Sequence, residues 1–209
     1  MGTTSLLDII GSMMTFGLLM LAALRLNTSA SDSNYAYNQS YLMQRNMVVL
    51  TVLLEQDLNN VGTGTVDSLY GGVIKADTND LIFYEDIYRS GNPVTVEWKV
   101  GLASAGPATP NPADCYVSRI VNGKESKMNL GVTRLRFSYW NIADPTISAG
   151  ATPIVPPNVG NIGPIEVTLV LQSPFKMKSG YTTAADTAQY QMIWRQIRSI
   201  SRNTNRQTS

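Results

Sequence analysis

Histidine is absent from the 209 residues of this chain, and cysteine occurs once, as Cys115. The missing histidine excludes the commonest general base, metal ligand and catalytic-triad member. The solitary cysteine excludes an intrachain disulfide and any zinc or iron–sulfur site that needs several thiolates. We therefore expect no catalytic site, no cofactor and no tightly bound transition metal. Cys115 is predicted to be a small apolar residue at the start of a strand, the alternative being a bridge to another chain.

Charged residues are also scarce. They make up 15% of the chain, well below the usual quarter, whereas 44% of the residues are hydrophobic. Sixteen Lys and Arg nearly balance fifteen Asp and Glu. Because the chain as a whole carries no strong field, we expect no nucleic acid among its partners.

The longest apolar run extends from Leu6 to Leu26 and contains one acid, Asp8, and one base, Arg25. As a helix it would span about 30 Å, the thickness of the hydrocarbon core of a bilayer. A secretory signal peptide is the main alternative. However, no Lys or Arg precedes the run, and the run is longer than the apolar core of most signal peptides. The sequence therefore predicts an uncleaved membrane anchor.

A second helical pattern follows between Tyr41 and Asn60. Glu55 and Asp57 lie outside its apolar stripe. The stripe consists of apolar residues that recur at spacings of three and four, namely Leu42, Met43, Met47, Leu50, Leu54 and Leu58. This pattern predicts an amphipathic stem with one face against a core.

The two patterns together predict one helix from about Ser5 to Asn60. It should be looser between Asn27 and Asn34, where poor helix formers cluster. Gly62 and Gly64 are expected to end it. The chain then divides into an apolar helix, a helical stem and a globular domain, residues 1–26, 27–61 and 62–209.

The residues beyond Gly62 are predicted to form β-structure. Apolar residues alternate from Val94 to Val100 and from Ile165 to Leu171. Asn122-Gly123 is the best hairpin turn of the sequence, because both positions tolerate a positive φ. The inner face of the sheet should include Val96, Trp98, Phe137, Val167 and Leu169. The predicted fold class is thus α+β, a long N-terminal helix followed by an antiparallel sheet.

Two further segments allow more than one interpretation. Residues 190–200 fit both a helix and a strand. Asp77, Asn79 and Asp80 lie close enough together to suggest a Ca²⁺ loop, but the glycine and the closing glutamate of an EF-hand are missing. We therefore predict a turn at residues 77–80.

Three fragments of the chain resemble the type IV pilin and type II secretion pseudopilin superfamily, and most closely its W- and J-type minor pilins. Residues 53–62, LLEQDLNNVG, are similar to the segment that closes the long helix in those proteins. Residues 131–140, GVTRLRFSYW, are similar to one of their strands. Residues 165–171 and 198–203 are similar to their closing strand pair, which favours a strand over residues 190–200.

The resemblance implies a structural subunit of an extracellular filament on the cell surface. The subunit would sit in the inner membrane before assembly. Its partners would be copies of itself and also other pilins and the assembly machinery. Two alternatives remain open: a minor or tip pseudopilin of a secretion system, and a membrane-anchored surface binding module that never polymerises. The expected assembly residues lie on the apolar helix: Asp8, Gly11, Thr15, Phe16, Leu19 and Arg25.

Asp8 needs an explanation on physical grounds alone, because an isolated carboxylate in an apolar run costs several kcal/mol unless it is paired or neutralised. The resemblance implies that it meets the N-terminal amine of a neighbouring subunit. The alternative is that Asp8 sits at the membrane interface, near the positive end of its helix. Gly11 and Thr15 form a pair of small residues four apart, a spacing that allows close contact between helices.

Overall fold

The computed structural model describes residues 3–64, 72–177 and 189–201, with the backbone alone for residues 3–5. Helix α1 spans Thr3–Asn59. By its internal contacts the chain divides into two compact units, Met1–Tyr41 and Leu42–Ser209. The first unit is helical over its described residues, and the second contains the end of α1 and the sheet.

The described residues of the second unit form an antiparallel sheet of seven strands, in which each strand pairs with the next along the chain. The strands are β1 (Val73–Ala76), β2 (Asp80–Glu85), β3 (Val94–Val100), β4 (Cys115–Val121), β5 (Lys124–Asn141), β6 (Ile162–Met177) and β7 (Gln189–Ser199). The fold is therefore α+β, as predicted.

One hydrophobic core joins the last turns of α1 to the inner face of the sheet. Leu50, Leu54 and Leu58 are 0–1% exposed and belong to the same cluster as the inward residues of the strands. The five residues predicted for the inner face, Val96, Trp98, Phe137, Val167 and Leu169, are all buried. Alternation of apolar residues along the strands was thus a sufficient guide to the side of the sheet that meets the helix.

The bounds of α1 confirm the predicted helix, with two differences in detail. Residues 27–34 are regular helix, and within them the Thr28 hydroxyl donates to the carbonyl oxygen of Leu24, 3.0 Å away. This bond satisfies the Thr28 hydroxyl within the helix. Leu42, predicted to lie in the buried stripe, is 45% exposed, and the buried stripe begins at Met43.

The predicted turns are also found, together with the strand predicted near the end of the described chain and the position predicted for Cys115. Asn122 and Gly123 connect β4 to β5 with φ values of 49° and 79°, as a two-residue hairpin of this kind requires. Residues 190–199 belong to a strand and not to a helix. Cys115 is the first residue of β4 and is buried. Residues 77–79 form the turn between β1 and β2.

The chain after α1 passes unusually close to the start of β1. A Cβ atom added to Gly72, whose φ is 83°, would lie 2.1 Å from Gly62 Cα. Gly91 has a similar φ of 78°, but nothing lies within 4 Å of its added Cβ. Alanine substitutions at the two glycines can therefore be compared to separate the effect of a positive φ from that of a backbone clash.

We expect Gly72→Ala to lower the free energy of unfolding by about 1–3 kcal/mol more than Gly91→Ala, because overpacking adds to backbone strain. The measurement is urea unfolding of the full-length chain in nonionic detergent micelles, followed by tryptophan fluorescence. Equal effects of the two substitutions would contradict the close approach.

Candidate functional site

Residues 6–26 of α1 carry an apolar surface that nothing covers within the described part of the chain. Each large apolar side chain among them is more than half exposed, including Phe16 at 68% and Leu19 at 70%. The helix is long and apolar enough to cross a membrane. Because so large an apolar surface is unfavourable in water, this segment needs lipid or other protein chains around it.

Asp8 lies on the exposed surface of this segment. Among the residues that the structure describes, none donates a hydrogen bond to its carboxylate or forms an ion pair with it. A partner for this carboxylate, if it is to be buried in an assembly, must therefore come from outside the described residues.

Gly11 and Thr15 provide a small, open patch one turn further along. A Cβ added to Gly11 would meet nothing within 4 Å. The Thr15 hydroxyl lies 2.9 Å from the carbonyl oxygens of both Gly11 and Ser12 and donates to them. Because this polar group is satisfied within the helix, a second helix could approach the patch without leaving the hydroxyl unpaired. Arg25 is exposed near the other end of the run.

The second unit contains a polar cluster that the sequence did not reveal. Asp57, near the end of α1, is 1% exposed. The Arg119 guanidinium on β4 donates to both of its carboxylate oxygens, through Nε at 2.7 Å and Nη2 at 3.0 Å. The Trp98 indole on β3 adds a third hydrogen bond, 2.8 Å from Nε1 to Oδ2. Asp57 is therefore held as a fully hydrogen-bonded anion between helix and sheet.

Glu85, at the end of β2, is a second buried carboxyl group near this ion pair. It is 2% exposed. Asn60 Nδ2 donates to Glu85 Oε1 at 3.2 Å, while Oε2 has no hydrogen-bond partner within the described residues. Burial, and then the charge of Asp57, raise the pKa of Glu85 to about 7.

The pKa of Arg119 is raised as well, but for a guanidinium a raised pKa favours the charged form. Its hydrogen bonds to Asp57 raise the pKa of the guanidinium further above its ordinary value. The guanidinium therefore remains charged while Glu85 can gain or lose a proton in the neutral range. The arrangement has two carboxyl groups and one permanent cation, and its chemistry is proton binding.

Alternation along the strands could have indicated two of these residues. In β2, Glu85 is the next alternate residue after the buried Leu81 and Phe83. In β4, Arg119 follows Cys115 and Val117 in the same alternation. The polar character of such residues normally argues for the surface, which is why they were not predicted. Asp57, predicted to lie outside the apolar stripe of α1, is buried, because it follows Leu54 by three residues and so shares the face of the helix that meets the sheet.

No three Cys, Asp or Glu side chains come together to hold a metal ion within residues 3–64, 72–177 and 189–201. Asp77 and Asp80, considered for Ca²⁺, instead lie beside Lys75. The ammonium group of Lys75 is 2.6 Å from Asp80 Oδ2, and Asp77 Oδ1 accepts a hydrogen bond from the Thr78 amide at 2.7 Å. These carboxylates therefore close a turn.

Comparisons of the chain with protein-family models, with curated proteins and with solved structures give no match.

Proposed function

We propose that this chain is a structural subunit of a type IV pilus-like extracellular filament, assembled through its N-terminal helices. The observation that carries the proposal is the change of surroundings along α1. Leu50, Leu54 and Leu58 are buried against the sheet, whereas the large apolar side chains of residues 6–26 are exposed. The same helix thus has one end with its own core and another that requires external apolar partners.

Packing against copies of itself suits this segment for two reasons. Gly11 and Thr15 allow helices to approach closely, which favours helix contact over lipid contact. Asp8 lacks a described partner and is costly in an apolar environment unless a cation pairs with it. A neighbouring subunit can supply that cation, most simply as an N-terminal amine. The hydrocarbon core of a bilayer supplies the apolar surroundings but no such partner.

The test is the yield of filaments from cells that express Asp8→Ala. We expect at least about a tenfold loss, because the substitution leaves the neighbour's cation as an unpaired buried charge, which costs several kcal/mol, and each 1.4 kcal/mol is a factor of ten. The measurement is the mass of filament sheared from the cells and identified by electron microscopy, normalised by immunoblot to total protein.

Asp32→Ala is the matched control, since Asp32 is an exposed acid of the same helix outside the apolar run. It should leave the yield unchanged. Wild-type yield from Asp8→Ala would reject the role of this carboxylate. Filaments formed by a chain lacking residues 1–26 would reject assembly through the helix. Absence of filaments from the unaltered chain, with the protein in the membrane fraction, would favour the anchored binding module.

A further inference from the structure

The two buried carboxyl groups of the polar cluster differ sharply in their hydrogen bonds. Asp57 accepts three, two of them from a guanidinium. Glu85 accepts one, from the neutral amide of Asn60, and its Oε2 atom is buried without a partner in the described part of the chain. Arg119 thus lies near two buried acids, and its hydrogen bonds in the cluster go to Asp57.

A buried carboxylate with so few donors is strongly disfavoured, and a second carboxylate nearby disfavours it further. The neutral acid removes the charge and leaves only an unpaired hydroxyl, which is less costly to bury than a carboxylate. Arg119 offsets the cost of a charge on Glu85 only in part, because both of its hydrogen-bonding nitrogens donate to Asp57. The groups that influence the cluster are Asp57 from α1, Arg119 from β4 and Tyr88 from the loop after β2.

Glu85 also lies where the chain after α1 is tied to β2. Three hydrogen bonds join these segments: Asn60 Nδ2 to Glu85 Oε1 at 3.2 Å, the Gly62 amide to the Tyr84 carbonyl at 2.7 Å, and the Asp86 amide to Thr63 Oγ1 at 3.0 Å. A charge that appears on Glu85 is therefore placed inside this junction.

We propose that Glu85 is the proton-binding group of a pH-sensitive clamp, which holds the end of α1 to β2 while Glu85 is neutral and loosens when it ionises. This proposal does not rest on the proposed filament function, because every group in the clamp belongs to the second unit.

The direction of the pH effect follows from proton linkage. The pKa of Glu85 is raised from 4.5 to about 7 on folding, so the folded chain binds the proton more tightly than the unfolded chain. Its contribution to stability is fully present below pH 4.5. The contribution declines as the pH rises and is lost above pH 7. An acid that is stabilised as an anion in the folded state has the opposite pH dependence of stability.

The test compares Glu85→Gln with the unaltered full-length chain in nonionic detergent micelles. In the unaltered chain, proton linkage at Glu85 is expected to lower the folding equilibrium constant on the order of 50-fold between pH 5 and pH 8. Glutamine cannot ionise, so this part of the decline should vanish in Glu85→Gln. Urea unfolding at the two pH values, followed by tryptophan fluorescence, measures both. Titrating groups outside the cluster affect the two proteins alike.

Glu97→Gln is the matched control, because Glu97 lies on β3 and forms no part of the cluster. It should keep the full pH dependence of the unaltered chain. An equal decline in Glu85→Gln and in the unaltered chain would overturn the proposal, as would loss of the decline in Glu97→Gln.

Hydrogen exchange provides a second measurement that needs no variant. Amides of residues 57–64 in the unaltered chain should be less protected at pH 8 than at pH 5, after correction for the intrinsic pH dependence of exchange. Amides at the centre of β6, far along the chain, should change much less. Equal protection of residues 57–64 at the two pH values would contradict the clamp.

Discussion

Arg119→Leu is expected to lower the free energy of unfolding by about 3–5 kcal/mol, the usual cost of removing one member of a buried ion pair. The reason is that Asp57, 1% exposed, would remain as a buried charge with only the Trp98 indole to stabilise it. The value should fall toward the lower end of this range, since 21% of the Arg119 side chain is exposed and water can reach its site. Urea unfolding of the full-length chain in detergent micelles provides the measurement.

A double variant separates the effect of losing the ion pair from the effect of leaving one buried charge without its partner. Asp57→Asn removes the charge and keeps an oxygen that can accept from Trp98. Combined with Arg119→Leu, it should therefore be more stable than Arg119→Leu alone by at least about 1 kcal/mol. Arg136→Leu, which alters an exposed arginine of β5, should change stability by no more than about 0.5 kcal/mol. A double variant less stable than Arg119→Leu would contradict this account of the ion pair.

Leu54→Ala is expected to destabilise the chain by about 3–5 kcal/mol, because the lost side chain leaves a cavity in addition to the lost burial. Leu54 is 0% exposed and belongs to the core cluster that joins α1 to the sheet. Its control is Val52→Ala on the same helix, where the valine is 56% exposed. That change should stay within about 0.5 kcal/mol. The same unfolding assay applies, and similar effects at the two positions would show that α1 does not pack on the sheet as described.

Much of the fold could be predicted because its elements obey simple periodicities. The alternation of Val94, Val96 and Trp98 places a strand and its buried face, and the spacing of Leu50, Leu54 and Leu58 places the buried face of the helix. Such patterns depend on local geometry alone. For this reason the strand at residues 94–100 and the helix were found almost to the residue.

The polar cluster could not be predicted, because its stability depends on partners distant in sequence. Asp57 and Arg119 are 62 residues apart, and neither has a local pattern that requires the other. Periodicity could place Glu85 and Arg119 at inward positions of their strands, but it could not show that the charges compensate each other there. The assembly residues are a different case. Asp8 and Gly11 lie on the predicted helix, and whether neighbouring chains contact them remains a prediction.

The order of the strands also has a consequence for how the chain acquires its structure. Because each strand pairs with its immediate successor, the sheet can grow hairpin by hairpin from contacts that are short in sequence. The end of α1 is different. Ser199 Oγ donates to Asn59 Oδ1 at 2.8 Å and Ser201 Oγ to the Val61 carbonyl at 2.6 Å, each across 140 residues. Helix α1 precedes the strands in the chain, so these contacts of its end form only after β7 has been synthesised.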